Sequence, residues 1–368
     1  MSRLSRYLNR VYFLRFSVVL LAVTGFAVLF DLLDVGPRVA RRLPDTSWPL
    51  VRYAFVRLPS LVSELLPMVA LVAGLFAVTD LLRFRELVAM WGAGVSRLGL
   101  VARLWPAMLV VAGLKFVVDD RLIPATFPTL RALGMAETRG GGPPRGDALW
   151  VRLDGQILRL PADAAARKEP RDLLILRLDD QGRLIERLDV AEALPAPEAW
   201  LLRGVVRRPA GASAPEYLPE LLWPVRLDIE ELATLSKPPR ELSSSELVAV
   251  IAAAAYGVTS TEGHETWLHA RIAGMLGIAA IVALPVTLVR RAGRAGATLT
   301  IFVRGLAIGF GYVIGNGILL ALGELGLMPP VLAAWTAPSL LGLGLLSGAG
   351  LFEKRRGRVH APSAAVVP

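Results

Sequence analysis

Long apolar stretches and one long polar segment alternate along this chain. Six stretches are almost wholly apolar, and each reaches the roughly 20 residues that a helix needs to cross the hydrocarbon layer of a bilayer. They cover residues 11–33, 58–79, 99–118, 267–289, 298–322 and 331–351. Because three stretches precede the polar segment and three follow it, the pattern predicts a membrane protein with three plus three transmembrane helices.

The polar segment, residues 119–265, has a different pattern. Short runs alternate between apolar and polar positions and are separated by Gly, Asp and Pro; the run over 149–160, for example, turns at Asp154-Gly155. Period-two alternation with such turns is typical of antiparallel β structure, and internal prolines disfavour long helices. The segment is therefore predicted to be an all-β sandwich or jelly roll, which makes the fold class membrane α+β.

A helix is predicted between the β segment and the fourth span. Ser243 is followed three residues later by Glu246 and then by apolar residues at helical spacing. This is the pattern of a capping box, in which the two side chains bond to the free backbone N–H groups at a helix start.

Basic residues cluster in four segments outside the predicted spans. They are Arg3, Arg6 and Arg10; Arg83, Arg85 and Arg97; Arg290, Arg291 and Arg294; and Lys354, Arg355, Arg356 and Arg358. Short loops rich in Arg and Lys face the cytosol in membrane proteins, so we expect both termini there and the β segment on the opposite side. One loop departs from this rule, because Arg38, Arg41 and Arg42 follow the first span on the outer side. These three either anchor the loop at the membrane surface or attract an anionic ligand to the outer leaflet.

Composition agrees with a membrane protein. The chain is 54% hydrophobic and has a mean hydropathy of +0.53, which is more apolar than a soluble domain. The net charge of +10 does not indicate nucleic-acid binding, since the Arg residues flank apolar spans and form no basic stripe. Without cysteine, the outer part has to fold without disulfides. We interpret the first span as an uncleaved helix, because no small-residue cleavage site follows it.

The usual sequence signatures of catalysis are missing. The chain has no Gly-x-x-x-x-Gly-Lys-Ser/Thr phosphate loop and no Gly-x-Ser-x-Gly nucleophile turn. Its three histidines, His264, His269 and His360, do not have metal-ligand spacing. We therefore predict a non-catalytic protein with no cofactor and no metal, for which any ATP hydrolysis comes from another polypeptide.

Two ionisable residues inside predicted spans are candidates for function, because charges are costly in a bilayer. Glu64 lies in the second span and Lys115 near the outer end of the third. An alternative for Lys115 is that it reaches the interface and pairs with Asp119 or Asp120, one helical turn on. The alternative for Glu64 is a hydrated, paired carboxylate without a ligand.

The fifth span is rich in glycine. Gly305, Gly309, Gly311 and Gly315 form overlapping small-xxx-small patterns, which let helix backbones approach closely. Such a face serves either plain helix packing or a gate helix that moves against its neighbour.

The turn between the second and third spans, about residues 81–97, predicts a short amphipathic helix. Leu87, Met90 and Trp91 recur at helical spacing beside the carboxylate of Glu86. A helix lying on the membrane surface has this pattern, and so does a helix that is presented to a partner protein.

Several stretches carry a family resemblance. They are Leu65-Leu66-Pro67-Met68, the run from Arg85 to Met90 followed by Gly92 to Arg97, and the run from Met328 to Trp335 with Pro338. Together with the order of three spans, a β domain and three spans, they resemble the LptF/LptG permeases of the lipopolysaccharide exporter. The last run, with Gly309-Phe310 before it, is more similar to the LptG branch.

The resemblance implies a multi-pass protein of the bacterial inner membrane that forms a heterodimer with an LptF-like permease subunit around a cavity for lipopolysaccharide. Two copies of an LptB-like ATPase would dock on the cytosolic side and receive the coupling helix, with Glu86 facing a basic groove. The β domain would join the periplasmic jelly rolls of LptC-like and LptA-like proteins. The implied coupling residues are Arg85, Glu86, Leu87, Met90 and Gly94, and the candidates for lipopolysaccharide binding are Arg38, Arg41, Arg42, Glu64 and Lys115.

The predicted organisation is therefore residues 1–118 with the coupling helix, 119–265 as the periplasmic β domain with its following helix, 266–352 as spans four to six, and 353–368 as a cytosolic tail. The expected function is the permease subunit of an ATP-driven lipopolysaccharide exporter. Three alternatives remain: the LptF-type subunit of the same exporter, a gradient-driven secondary transporter that uses Glu64 and Lys115, and a structural or assembly protein of the membrane.

Overall fold

Helices and strands separate into two units in the computed structural model of the chain. The structure describes residues 2–42, 48–132, 148–153, 156–161, 170–179, 181, 183–196, 199–211, 214–224, 237–253, 261–289 and 297–356. The helical unit comprises the described parts of residues 1–136, 269–323 and 327–368, and the sheet unit those of residues 137–268 and 324–326.

Ten α-helices lie within the described residues. They are α1 (Arg3–Arg42), α2 (Pro49–Arg83), α3 (Glu86–Gly92), α4 (Arg97–Arg103), α5 (Trp105–Val117), α6 (Ile123–Ala132), α7 (Ser244–Ala253), α8 (Glu262–Leu288), α9 (Ala297–Glu324) and α10 (Pro330–Arg356). Five of them (α1, α2, α8, α9 and α10) are long and apolar enough to cross a membrane, and α4 with the helix that follows it makes a sixth span, bent by 49°. The predicted fold class, six transmembrane helices with an inserted β domain, is confirmed.

The first two helices are longer than a bilayer requires. α1 has 40 residues and α2 has 35, which at a rise of 1.5 Å per residue gives about 60 and 52 Å against a hydrocarbon layer of about 30 Å. The apolar spans predicted from the sequence are the middle parts of these helices, and their ends extend beyond the hydrocarbon layer.

The third span is broken at Leu104, and a side chain from α1 completes its hydrogen bonding. In a continuous helix the Ala107 N–H would donate to the Arg103 carbonyl. Here the amide of Asn9 stands between them: its Nδ2 donates to the Arg103 oxygen over 2.9 Å, and its Oδ1 accepts from the Ala107 N–H over 2.9 Å. Ser5 donates a second bond to the same carbonyl, over 2.8 Å. Both side chains are buried, so the Arg103 carbonyl and the Ala107 N–H find their partners within the protein.

The sheet unit contains one six-stranded antiparallel sheet with the strands in chain order. The strands are β1 (Ala148–Leu153), β2 (Gln156–Pro161), β3 (Arg171–Leu178), β4 (Leu184–Ala196), β5 (Ala199–Pro209) and β6 (Glu216–Trp223). The predicted antiparallel β structure is thus present. Among the described strands the order is that of a meander, without the crossover connections that define a Greek-key jelly roll.

A bend runs across the middle of this sheet and interrupts its period-two alternation. Gly204 has φ 63° on β5, and a Cβ at this position would lie 2.9 Å from the Cβ of Ala191 on β4. Only glycine fits this conformation and this approach without strain. On β5 both Leu202 and Val205 are buried although they are three residues apart, and so are Val190 and Ala193 on β4. The pairing register of the two strands is the same on both sides of Gly204, so the two strands change face together.

The capping box that the sequence predicts at the start of α7 is confirmed. The Ser243 N–H donates to Glu246 Oε2 over 2.7 Å, and the Glu246 N–H donates to Ser243 Oγ over 3.2 Å. Burial raises the pKa of the Glu246 carboxyl, but the bonds from Ser243 and the charge of Lys237 outweigh it and hold the pKa below its ordinary value. The carboxylate is therefore charged at neutral pH, where it best satisfies the helix start.

Candidate functional site

The segment between α2 and α4 is a short helix held between two left-handed backbone positions. Arg85, just before α3, has φ 57°, and Gly94, just after it, has φ 85°. The left-handed region suits glycine and is uncommon for arginine, and these two positions interrupt the helical backbone on both sides of α3. Ser96 then caps α4 by accepting a bond from the Gly99 N–H over 3.0 Å.

One side of α3 packs into the helical core and the other side is exposed. Leu87 is only 1% exposed, and Met90 and Trp91 are partly buried against the same core. Val88, between them in the sequence, is 46% exposed. The backbone of α3 is therefore anchored to the transmembrane helices, while its outer surface remains accessible.

Glu86 lies at the first position of α3 and is partly exposed. Its Oε2 accepts a hydrogen bond of 2.7 Å from the hydroxyl of Tyr7 on α1. It has no ion-pair partner within the part of the chain that the structure describes. We call the group formed by Ser5, Tyr7, Asn9, Glu86 and Arg103 the α3 end of the helical unit.

A second polar group lies where α5 meets α6. It is far from Glu86 along α2, the helix that leads from Ser63 to α3. Lys115 donates to Asp119 over 2.6 Å and to the Ser63 hydroxyl over 2.7 Å, and Ser63 donates to Asp119 over 2.5 Å. Both charged side chains are 20% exposed. Of the alternatives that the sequence left open for Lys115, the structure shows the ion pair with Asp119.

The neighbouring residue Asp120 makes the most buried ion pair of the helical unit among the described residues. Its Oδ1 lies 2.7 Å from the guanidinium of Arg271 on α8, and the two side chains are 9% and 3% exposed. A π-helical turn (Val118–Leu122) carries Asp119 and Asp120, and these two carboxylates reach α2 and α8 respectively. We call Ser63, Lys115, Asp119, Asp120 and Arg271 the α6 end.

Sequence reasoning missed Arg271, Tyr7 and Asn9. The sequence did contain a signal for Arg271, because an arginine inside an apolar span needs a partner. Asp120, its actual partner, was considered only as a partner for Lys115. No comparable signal existed for Tyr7 and Asn9, whose partners Glu86 and Ala107 lie 79 and 98 positions away.

The remaining candidates for lipopolysaccharide binding lie on α1 and α2. Arg38, Arg41 and Arg42 belong to the last part of α1, but their side chains lie outside the described residues. Glu64 is exposed on α2 although its neighbour Ser63 is buried. An exposed carboxylate within a membrane span requires water or a partner.

The four glycines of α9 divide into two pairs. A Cβ added at Gly305 or Gly309 would collide with Leu75 or Leu71 of α2, whereas one added at Gly311 or Gly315 would meet no atom within 4 Å. The first pair therefore permits close packing of α9 on α2. The second pair lies on an open face of the helix.

Comparison with known proteins identifies the family. The family model described as "Lipopolysaccharide export system permease LptF/LptG" matches residues 6–349 of the 368, so it includes α1 to α9, the sheet and most of α10. A search of the curated proteins gave no match. The family model covers both branches and does not separate LptG from LptF. Because the match extends over nearly the whole chain, this protein belongs to the LptF/LptG family of lipopolysaccharide export permeases.

Proposed function

We propose that this chain is the LptG-like permease subunit of an ATP-driven exporter that extracts lipopolysaccharide from the inner membrane. The observation that supports this most is Glu86: a partly exposed carboxylate, without an ion-pair partner among the described residues, on a short helix anchored to the spans through Leu87. Such a helix can transmit force from a docked protein to the transmembrane helices, and its carboxylate can bind a basic groove.

The motor is a separate polypeptide. The chain carries no phosphate-binding loop of the Walker type, so ATP hydrolysis is assigned to two copies of an LptB-like ATPase docked at the α3 end. Arg85, Leu87, Met90 and Gly94 shape and anchor the coupling helix. The positive-inside rule supports a cytosolic position for this end, because Arg83, Arg85 and Arg97 cluster there.

The same rule assigns the sheet unit to the periplasm, where it would continue into the jelly rolls of LptC-like and LptA-like proteins. Lipopolysaccharide is anionic and carries several acyl chains, so its site needs an apolar wall and a cationic rim. Arg38, Arg41 and Arg42 are proposed as this rim. Lys115 would join it by exchanging Asp119 for a phosphate, and Glu64 would face the polar interior of the cavity.

The partner permease is expected against α1 and α9. Only 17% of the apolar window of each of these helices is buried within the chain, compared with 67% for α2. The open pair Gly311 and Gly315 lies on α9 and would let an LptF-like helix approach closely. The LptF-type assignment of this chain predicts the same surfaces, and the partner with which it purifies distinguishes the two.

Charge reversal at Glu86 tests the coupling role. In proteoliposomes that contain the permease pair and the ATPase, Glu86→Lys is expected to abolish ATP-dependent release of lipopolysaccharide, because a cation there would repel the basic groove. The permease pair should still assemble by gel filtration. Normal release by Glu86→Lys would refute the coupling role.

A further inference from the structure

The Tyr7–Glu86 hydrogen bond is a contact between the first turns of α1 and the first position of α3. The two residues are 79 positions apart, and the bond of 2.7 Å has the ordinary length of an O–H···O hydrogen bond. Tyr7 is 41% exposed, so its ring does not need this position in order to be buried. The contact therefore needs an explanation other than core packing.

The backbone on both sides of Tyr7 is fixed. Ser5 and Asn9, two residues before and two residues after it, are buried and hydrogen-bonded to the break between α4 and α5. A hydroxyl carried between two such anchors has a defined position relative to the transmembrane helices.

The carboxylate of Glu86 lacks an equivalent anchor of its own. α3 is held by Leu87, but a glutamate side chain on a partly exposed helix start loses rotamer entropy when a partner orders it. A side chain that is already ordered reduces that cost at the moment of docking. Tyr7 supplies such ordering from outside α3.

The chemistry of a phenol suits this task better than that of a lysine or arginine. A cation would pair with Glu86 and neutralise the charge that a basic groove has to recognise, whereas the neutral Tyr7 hydroxyl donates one hydrogen bond and leaves the charge unchanged. A carboxylate accepts several bonds, so Glu86 can keep its bond to Tyr7 at Oε2 while a partner approaches Oε1.

We propose that Tyr7 is a positioning residue: it holds the Glu86 carboxylate in the orientation in which α3 binds the ATPase. This inference rests on the proposed function, since it takes Glu86 to be the contact with that ATPase. In this arrangement α1 is linked directly to the docking helix, and the ATPase binds a surface formed by two segments of the chain.

The test is a double-mutant cycle on the affinity between the detergent-purified permease pair and separately purified LptB-like ATPase. Tyr7→Phe removes only the hydroxyl and is expected to weaken binding about two- to tenfold, the factor that a typical intramolecular hydrogen bond contributes. In a Glu86→Ala background the same change is expected to have no further effect. The matched control is Tyr12→Phe, which removes a hydroxyl that donates to the Ala70 carbonyl over 3.2 Å on the buried side of α1; it should leave the affinity unchanged.

Three results would overturn the inference, and they can be told apart. If Tyr7→Phe weakens binding equally with and without Glu86, Tyr7 acts through the fold and does not position the carboxylate. If Tyr7→Phe has no effect while Glu86→Ala weakens binding, the positioning role alone fails. If Glu86→Ala itself leaves the affinity unchanged, the coupling function fails, and the role of Tyr7 fails with it.

Discussion

The two polar ends of the helical unit use different chemistry. At the α3 end, neutral groups complete the structure: the Asn9 amide replaces a broken helix bond, and a tyrosine hydroxyl holds Glu86. At the α6 end, opposite charges are paired, and the Asp120–Arg271 pair is almost fully buried. One end keeps a charge available to a partner, whereas the charges at the other end are balanced within the chain.

The difference follows from the cost of desolvation. A buried charge without a counter-charge loses several kcal/mol of hydration, which only a close and well-bonded partner repays. A buried amide needs only hydrogen bonds. The α3 end can therefore be rigid and still present at its surface a carboxylate without a counter-charge among the described residues, because neither Asn9 nor Tyr7 neutralises the charge of Glu86. The buried Asp120–Arg271 pair has lost that option, and we interpret it as a clasp between the π-helical turn and α8.

Removing one member of the buried ion pair should have the largest effect. Arg271→Ala leaves Asp120 without its partner on α8 and is expected to destabilise the permease by about 3–5 kcal/mol, measured as the apparent Tm of the detergent-purified protein. Arg121→Ala is the matched control, since Arg121 also approaches Asp120 but is 81% exposed. Similar losses of stability in both variants would contradict the expectation that the buried ion pair stabilises the protein more than the exposed one.

Removing the Asn9 amide, the uncharged group that bridges the helix break at the α3 end, should lower the stability less. Asn9→Ala leaves the Ala107 N–H without its acceptor and is expected to destabilise by about 1–3 kcal/mol in the same measurement. Ser5→Ala should cost less still, because the Arg103 carbonyl keeps its bond from Asn9. If Asn9→Ala lowered the stability of the permease as much as Arg271→Ala, the neutral hydrogen bonds of the α3 end would stabilise it as much as the buried ion pair of the α6 end. The contrast between the two ends would then be wrong.

The sheet contains a buried carboxylate whose ion pairs stabilise it in a pH-dependent way. Glu186 on β4 is buried, and burial alone raises the pKa of its carboxyl; hydrogen bonds from Arg177 and Arg207, over 2.7 and 2.6 Å, outweigh burial and lower the pKa below 4.5. A lowered pKa in the folded state stabilises the sheet above about pH 4.5, and this contribution is lost as the pH falls through the folded value.

Hydrogen exchange of β3 to β5 in the intact protein, corrected for intrinsic rates, measures this effect. The opening free energy is expected to fall by about 1 kcal/mol or less below pH 4.5, since both arginines are partly exposed and solvent screens them. Glu186→Gln should remove this dependence. A wild-type sheet whose protection is unchanged between pH 6 and pH 3 would argue against the paired carboxylate.

Some of these features could be predicted from the sequence, and the reason is that they are local. The six spans depend on runs of apolar residues, the capping box on Ser243 and Glu246 three positions apart, and the Lys115–Asp119 pair on a spacing of four. The structure contains each of them. The sheet was also recognisable from its alternation, but the need for glycine at position 204 was not, because it depends on how closely Ala191 approaches from the neighbouring strand.

The sequence by itself determined the membrane α+β class and the family, since hydrophobic length and local motifs carry that information. It also supplied Glu86 as the coupling candidate, a role that remains a prediction. The tertiary structure alone decided which polar groups meet: Asn9 with the helix break 94 to 98 positions away, Tyr7 with Glu86, and Asp120 with Arg271 at 151 positions. Contacts over such separations depend on how the spans pack against one another. No local spacing encodes them, and they decide which charges are already paired within the chain and which remain available to a partner.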